Sequence, residues 1–202
     1  MKRRFAVCLA IVLLAGCAAA PRRQDRMAEL QALAAELQRG ASATLILERW
    51  CADHHLADPP RVSAQRTRDA AKRIPPELRA RLAVGADEAI SYRRVRLVCG
   101  EHVLSEADNW YVPSRLTPQM NRQLETTDEP FGKVVKPLGF ERHPLAAELL
   151  WRTERIPPHD LLRHTAVLQT ATQEPISVVV ETYESGLFES ARYRPSEQAR
   201  SF

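Results

Sequence analysis

Apolar residues recur at helical spacing early in the chain and at alternate positions later. Leu30, Leu33, Ala34 and Leu37 fall at i, i+3, i+4 and i+7, which predicts a helix over 27–39 ended by Gly40. Ser42 stands where it can cap a second helix, in which Leu45, Ile46, Arg49 and Trp50 continue to about residue 53. Two adjacent amphipathic helices cannot bury their stripes alone, so both must cover another apolar surface. Strands supply it. The stretch "ISYRRVRLVC" (90–99) is rich in β-branched and aromatic residues, and 103–112 returns after a turn at 100–102, which predicts a hairpin. A second hairpin is predicted from "RHTAVLQTA" (163–171) and "ISVVVETY" (176–183) around Thr172-Gln173-Glu174-Pro175.

Between the hairpins, Thr117 can cap a helix with Pro118 at its first position and Leu116, Met120 and Leu124 on one face. Thr127-Asp128-Glu129-Pro130 stops it, and a Pro130-Phe131-Gly132 turn follows. Pro76 suits the first turn of a short helix over 76–82, residues 61–68 alternate loosely as a first strand, and 148–155 fits a strand or a short helix. Helices followed by two hairpins with a helical connection predict an α+β fold, an antiparallel sheet with helices packed on one side.

The N-terminus changes how the charge is read. Lys2, Arg3 and Arg4 precede an apolar run over 5–15, and Leu14-Ala15-Gly16-Cys17 follows, the order of a secretory signal. A cysteine after Leu-Ala-Gly resembles the lipobox of bacterial lipoproteins. That resemblance implies lipid on Cys17, cleavage before it and, with Ala18 next, an address at the outer membrane facing the periplasm. The expected division is a signal peptide over 1–16, a lipidated tether over 17–26, one domain over 27–190 and a polar tail over 191–202. The formal charge is +4; removing 1–16 deletes three bases and no acid, which leaves +1 and no case for nucleic acid. Cys51 and Cys99 remain in the domain, as one disulfide or as two buried thiols.

Few side chains suggest chemistry. Glu181 directly follows Ile176-Ser177-Val178-Val179-Val180, so it is either a buried carboxylate suited to proton exchange or a water-facing one near a strand end. Alternation puts Tyr92, Arg94 and Arg96 on one face, where a guanidinium can grip a carboxylate with two parallel bonds. Arg163 opens the facing hairpin with the same possibilities, and the Pro130-Phe131-Gly132 turn can offer backbone N–H groups to an anion. Cys51-x-x-His54-His55 has ligand-like spacing but no second ligand pair, so no metal is expected. No glycine-rich phosphate loop or nucleophile elbow occurs.

The segments "YRRVRLVC", "YVP", "LTPQMNRQLETTDEPFGKVV", "RHTAVLQT" and "EPISVVVETY" together resemble the chorismate lyase fold superfamily, over roughly residues 60–190. That superfamily includes chorismate–pyruvate lyase and the ligand-binding domains of some transcriptional regulators. The resemblance implies an antiparallel sheet backed by helices with the ligand enclosed beneath them, and no cofactor. It assigns Arg94 to a substrate carboxylate, Glu181 to the acid beside the departing group, Arg163 to the arginine-rich strand before it, and Phe131 and Gly132 to the pocket wall. Three functions follow as expectations. The first is a lipid-anchored envelope protein binding a small carboxylated, aromatic-type ligand through Arg94, Phe131, Gly132, Arg163 and Glu181. The second is an active carbon–oxygen lyase that forms 4-hydroxybenzoate and pyruvate, with Glu181 and Arg94 catalytic. The third is a structural envelope lipoprotein without ligand.

Overall fold

A computed structural model describes residues 23–40, 42–68, 71–152 and 156–189. The signal peptide, Cys17 and the tail over 191–202 lie outside the described residues. The chain opens with α1 (Arg23–Gln38) and α2 (Ala43–Asp53), followed by β1 (Val62–Arg66) and α3 (Pro76–Arg81). The first hairpin is β2 (Ser91–Cys99) and β3 (His102–Tyr111), and α4 (Pro118–Thr126) and α5 (Phe131–Val134) follow. Three further strands complete the fold: β4 (Glu141–Leu149), β5 (Asp160–Gln169) and β6 (Pro175–Glu184).

All six strands form one antiparallel sheet in the order β1-β2-β3-β6-β5-β4. The two predicted hairpins lie side by side and are joined at the centre by β3 and β6, where Asn109 pairs with Val179 and Ala107 with Glu181. Strand alternation divides the sheet into two faces. Val95, Leu97, Ala107 and Val179 belong to the main core, together with Leu30, Leu33 and Leu37 of α1, Ile46 and Leu47 of α2, Met120 and Leu124 of α4 and Phe131 of α5. The predicted architecture, helices packed on one side of an antiparallel sheet, is therefore present. The short α3 is the exception: its neighbour Leu82 packs with Val112, Val167 and Val178 on the opposite face.

Local chemistry explains most boundaries. Thr117 accepts a hydrogen bond from the Met120 N–H at 3.1 Å and caps α4. Ser42 occupies the N-cap position of α2 but makes no side-chain cap. Gly100 turns β2 into β3 with φ of +58°, and a Cβ there would meet Ala57 Cβ at 2.9 Å, so glycine is required twice over. The Pro130-Phe131-Gly132 turn is in fact the start of the single-turn helix α5.

Two elements differ from expectation. The first helix begins at Arg23, inside the stretch read as a tether over 17–26. The strand or helix predicted over 148–155 is the end of a strand that begins at Glu141, and residues 153–155 lie outside the described ones. Proline cannot donate to a ladder, so Pro144 argues against a strand; an edge strand tolerates it. β4 is such an edge, with a register shift between Pro144 and Ala146.

Cys51, at the end of α2, is bonded to Cys99, at the end of β2, with their Cα atoms 6.3 Å apart. Both are fully buried. The pairing settles the two alternatives left by the sequence and ties the second helix to the sheet. Among the described residues no helix is long and apolar enough to cross a membrane.

Candidate functional site

A cleft with about 550 Å³ of unfilled space, its mouth included, lies between the sheet and the helices. Its floor is the inward face of four strands: Arg93, Val95 and Leu97 from β2, Ala107 and Asn109 from β3, Ser177, Val179 and Glu181 from β6, and Leu168 from β5. The rim comes from Ser42, Ala43 and Thr44 at the start of α2, from Pro130-Phe131-Gly132, and from Phe140 and Arg142. A lining of apolar side chains with a few converging polar ones is the make-up of a small-molecule site. A Cβ at Gly132 would make ordinary contact with the Phe140 ring at 3.6 Å and Ser42 Oγ at 3.8 Å, so the rim has room for one methyl there.

Arg93 is the most unusual group in the cleft. It is only 5% exposed, and its Nη2 donates to Glu129 O at 3.1 Å. Its Nε and Nη1 have no hydrogen-bond partner, and no carboxylate forms an ion pair with it among the described residues. Burial, and then the charge of Arg66, pull its pKa down to about 10, so it is still a cation at neutral pH. Asn109 is its direct cross-strand neighbour and accepts the Ser177 hydroxyl on Oδ1. Its amide nitrogen thereby remains as a further donor beside Arg93. Across the cleft, the first intrahelical bond of α2 runs from Ile46 N–H to Ser42 O, so the amides of Ala43, Thr44 and Leu45 precede the helix ladder.

A second polar group closes the other end of the floor. Glu181 is 4% exposed and accepts on Oε2 from Arg142 Nη2 and, at 3.0 Å, from the Tyr183 hydroxyl. Arg142 Nη2 also donates to His164 Nδ1 at 2.9 Å. That bond requires an unprotonated Nδ1 and assigns the ring proton to Nε2. Burial and the adjacent Arg142 push the His164 pKa down to about 4, so the ring is neutral. Burial and the Glu181 charge hold the Tyr183 hydroxyl well above its ordinary pKa, which keeps it a donor.

The sequence candidates divide between the two faces. Phe131, Gly132 and Glu181 line the cleft. Arg94 and Arg163 do not. Arg94 stands on the outer face, where Nε and Nη2 hold Glu106 at 2.7 and 2.6 Å and Nη1 reaches Asp108 at 3.3 Å. Tyr92 joins the same cluster through Asp108 at 2.5 Å. Arg163 is exposed and lies 3.5 Å from Glu148. Neither lines the cleft; the guanidinium groups that do are those of Arg93 and Arg142. The physical reason is a one-residue step, since neighbours along a strand point to opposite faces. Arg93 could have been found from its own companions. Val95 and Leu97 share its face, so that face is the core, and a cation on it is more informative than one on the polar face. Arg142 carried no signal, because its strand was not recognised.

No family model matches the chain. It is 43% identical over 185 residues to the uncharacterized protein y4mC of Sinorhizobium fredii (strain NBRC 101917 / NGR234), covering 83% of this chain and 78% of that one. Among solved structures it is similar to PhnF from Mycobacterium smegmatis, with a TM-score of 0.52, 10% identity, and 78% of this chain and 69% of that chain covered. The isolated effector domain of the same protein aligns with a TM-score of 0.50 and 12% identity, over 72% of this chain and 89% of the domain. A possible transcriptional regulator, YydK from Bacillus subtilis subsp. subtilis str. 168, aligns at 14% identity and a TM-score of 0.43 over 66% of this chain, which spans only 62% of that protein's length. At these identities the likeness is one of fold.

Proposed function

Because the chain belongs to the family of the Sinorhizobium fredii protein y4mC and has a chorismate lyase-like fold, we propose that it binds a small anion, of carboxylate type, in the cleft over β2, β3 and β6. One observation carries this reading: Arg93 is a buried guanidinium whose Nε and Nη1 have no hydrogen-bond partner and which pairs with no carboxylate among the described residues. An unpaired buried charge costs several kcal/mol, and an incoming anion removes that cost. The amides opening α2 point positive dipole ends at the same cleft. Phe131 gives an apolar ring on the rim. Fold alone does not fix function, so the weight lies on Arg93 and not on the structural neighbours.

In the same reading the protein is exported and held in the bacterial envelope by lipid on Cys17, at the outer membrane facing the periplasm. Leu14-Ala15-Gly16-Cys17 supports this, and the Cys51–Cys99 bond fits an oxidising compartment. The binding test is thermal denaturation of the full-length chain with a panel of benzoate-type carboxylates. At least one member should raise Tm, and Arg93→Ala should abolish the shift while Arg94→Ala leaves it. A shift that survives Arg93→Ala sinks the assignment. Mass spectrometry of membrane fractions tests the anchor: an unmodified Cys17 in a soluble chain overturns it.

A further inference from the structure

The charge balance of the cleft says more about the ligand than that it is anionic. Two guanidinium groups and one carboxylate face this space: Arg93, Arg142 and Glu181. The Arg142 charge is already balanced, since its Nη2 is bound to Glu181 Oε2 and both groups are buried, although its Nε has no hydrogen-bond partner among the described residues. Two further titratable groups touch that pair: His164 accepts a bond on Nδ1 and is neutral, and the Tyr183 hydroxyl donates to Glu181 and is neutral. The next charges felt by Arg93 are Arg66 and Asp128, which are opposite in sign. One positive charge therefore remains uncompensated, and it sits at the Arg93 end.

The Glu181 end has the reverse need. Oε2 takes the bonds from Arg142 and Tyr183, and Oε1 has no donor among the described residues. An oxygen in that state asks for a hydroxyl or N–H and repels an anion. Between the two ends the floor is Val95, Ala107 and Val179, which are apolar, with the Asn109 amide next to Arg93. Arg93 and Glu181 stand two strands apart with β3 between them and two residues out of register, about 12 Å at ordinary strand spacing and rise. Their side chains close part of that gap, so one ring or a short chain spans it.

We propose that the cleft selects a monoanion with a hydrogen-bond donor at its far end, and rejects ligands with a second negative charge there. This rests on the reading that the cleft binds a small anion at Arg93. A second carboxylate would meet Glu181 in a water-poor site with no cation left to pair it, which is the costly arrangement for a buried charge. The same count weighs against chorismate, a dicarboxylate, as the resident ligand.

Three probes of nearly one shape separate the terms. They are benzoate, 4-hydroxybenzoate and terephthalate, titrated calorimetrically into the full-length chain. The expected order of affinity is 4-hydroxybenzoate, then benzoate, then terephthalate, with at least about tenfold between first and last. Glu181→Gln removes the repelling charge and leaves two uncompensated cations, so terephthalate should gain at least about tenfold relative to 4-hydroxybenzoate. Terephthalate binding the unaltered chain as tightly as 4-hydroxybenzoate overturns the selectivity and leaves anion binding standing. Binding by none of the three overturns both. The comparison on the unaltered chain decides the matter even if Glu181→Gln does not fold.

Discussion

Removing the Cys51–Cys99 bond gives a stability loss that can be worked from the structure. The two cysteines are 48 residues apart in sequence. In the chain-entropy account, closing a loop of that length removes about 14 cal/mol/K from the unfolded ensemble, or about 4 kcal/mol at 25 °C. A domain of this size unfolds in urea with a slope of roughly 2 kcal/mol/M. The midpoint should therefore fall by roughly 2 M when the bond is absent. The assay is urea unfolding followed by tryptophan fluorescence, on the oxidised chain, the same chain under reductant, and Cys51→Ala/Cys99→Ala. The reduced natural sequence isolates the cross-link, and the double variant adds the loss of two buried sulfurs. Superimposed curves for the oxidised and reduced chains would refute the reasoning. So would a reduced chain whose slope changes while its midpoint does not, since that would place the effect in denatured-state compactness.

Two further outcomes follow from the same packing. Gly186→Ala would drive its new Cβ into the Val103 carbonyl, so β3 and the turn after β6 cannot both keep their places; a Tm fall of about 10 °C or more is expected, corresponding to more than about 2 kcal/mol. His164 is fully buried and its pKa is held near 4, below the ordinary 6.5. The unfolded chain therefore binds the extra proton between those values, and stability is lost as pH falls through that window, by up to about 3 kcal/mol. Tm measured from pH 7 to pH 4 should fall, and His164→Asn should flatten the profile; an unchanged slope in that variant refutes the assignment.

How far the fold was legible depended on where each residue type sits. Both hairpins could be read because their strands carry β-branched and aromatic runs bounded by turn residues. β4 could not, because Pro144, charged residues and mostly exposed positions leave no alternation in an edge strand. The α4 cap was visible in Thr117-Pro118 itself. For the site, alternation separated Arg93 from Arg94 correctly, but it does not say which face the helices cover. The answer lay in Val95 and Leu97, and attention to the more polar face missed it. Glu181 posed the harder problem: β6 is apolar on both faces, with Ile176 and Val178 on one and Val179 on the other, so period alone could not decide its side. For Cys51 and Cys99 the sequence left a disulfide and two buried thiols as alternatives and could not choose between them, because sequence separation carries no information on Cα distance.

The central β3–β6 seam has a consequence for how the protein comes to be able to bind. Each hairpin closes through neighbours in the chain, an event on the scale of roughly 1–10 μs. The seam that sets Ala107 beside Glu181 and Asn109 beside Val179 unites segments far apart in sequence, and such contacts form slowly. Arg93 belongs to the first hairpin and Glu181 to the second, so neither half alone holds both ends of the cleft. The complete cleft is thus a property of the finished chain. A ligand that needs both ends binds no partly folded form, so at free concentration L it stabilises the whole domain against unfolding by RT ln(1 + L/Kd).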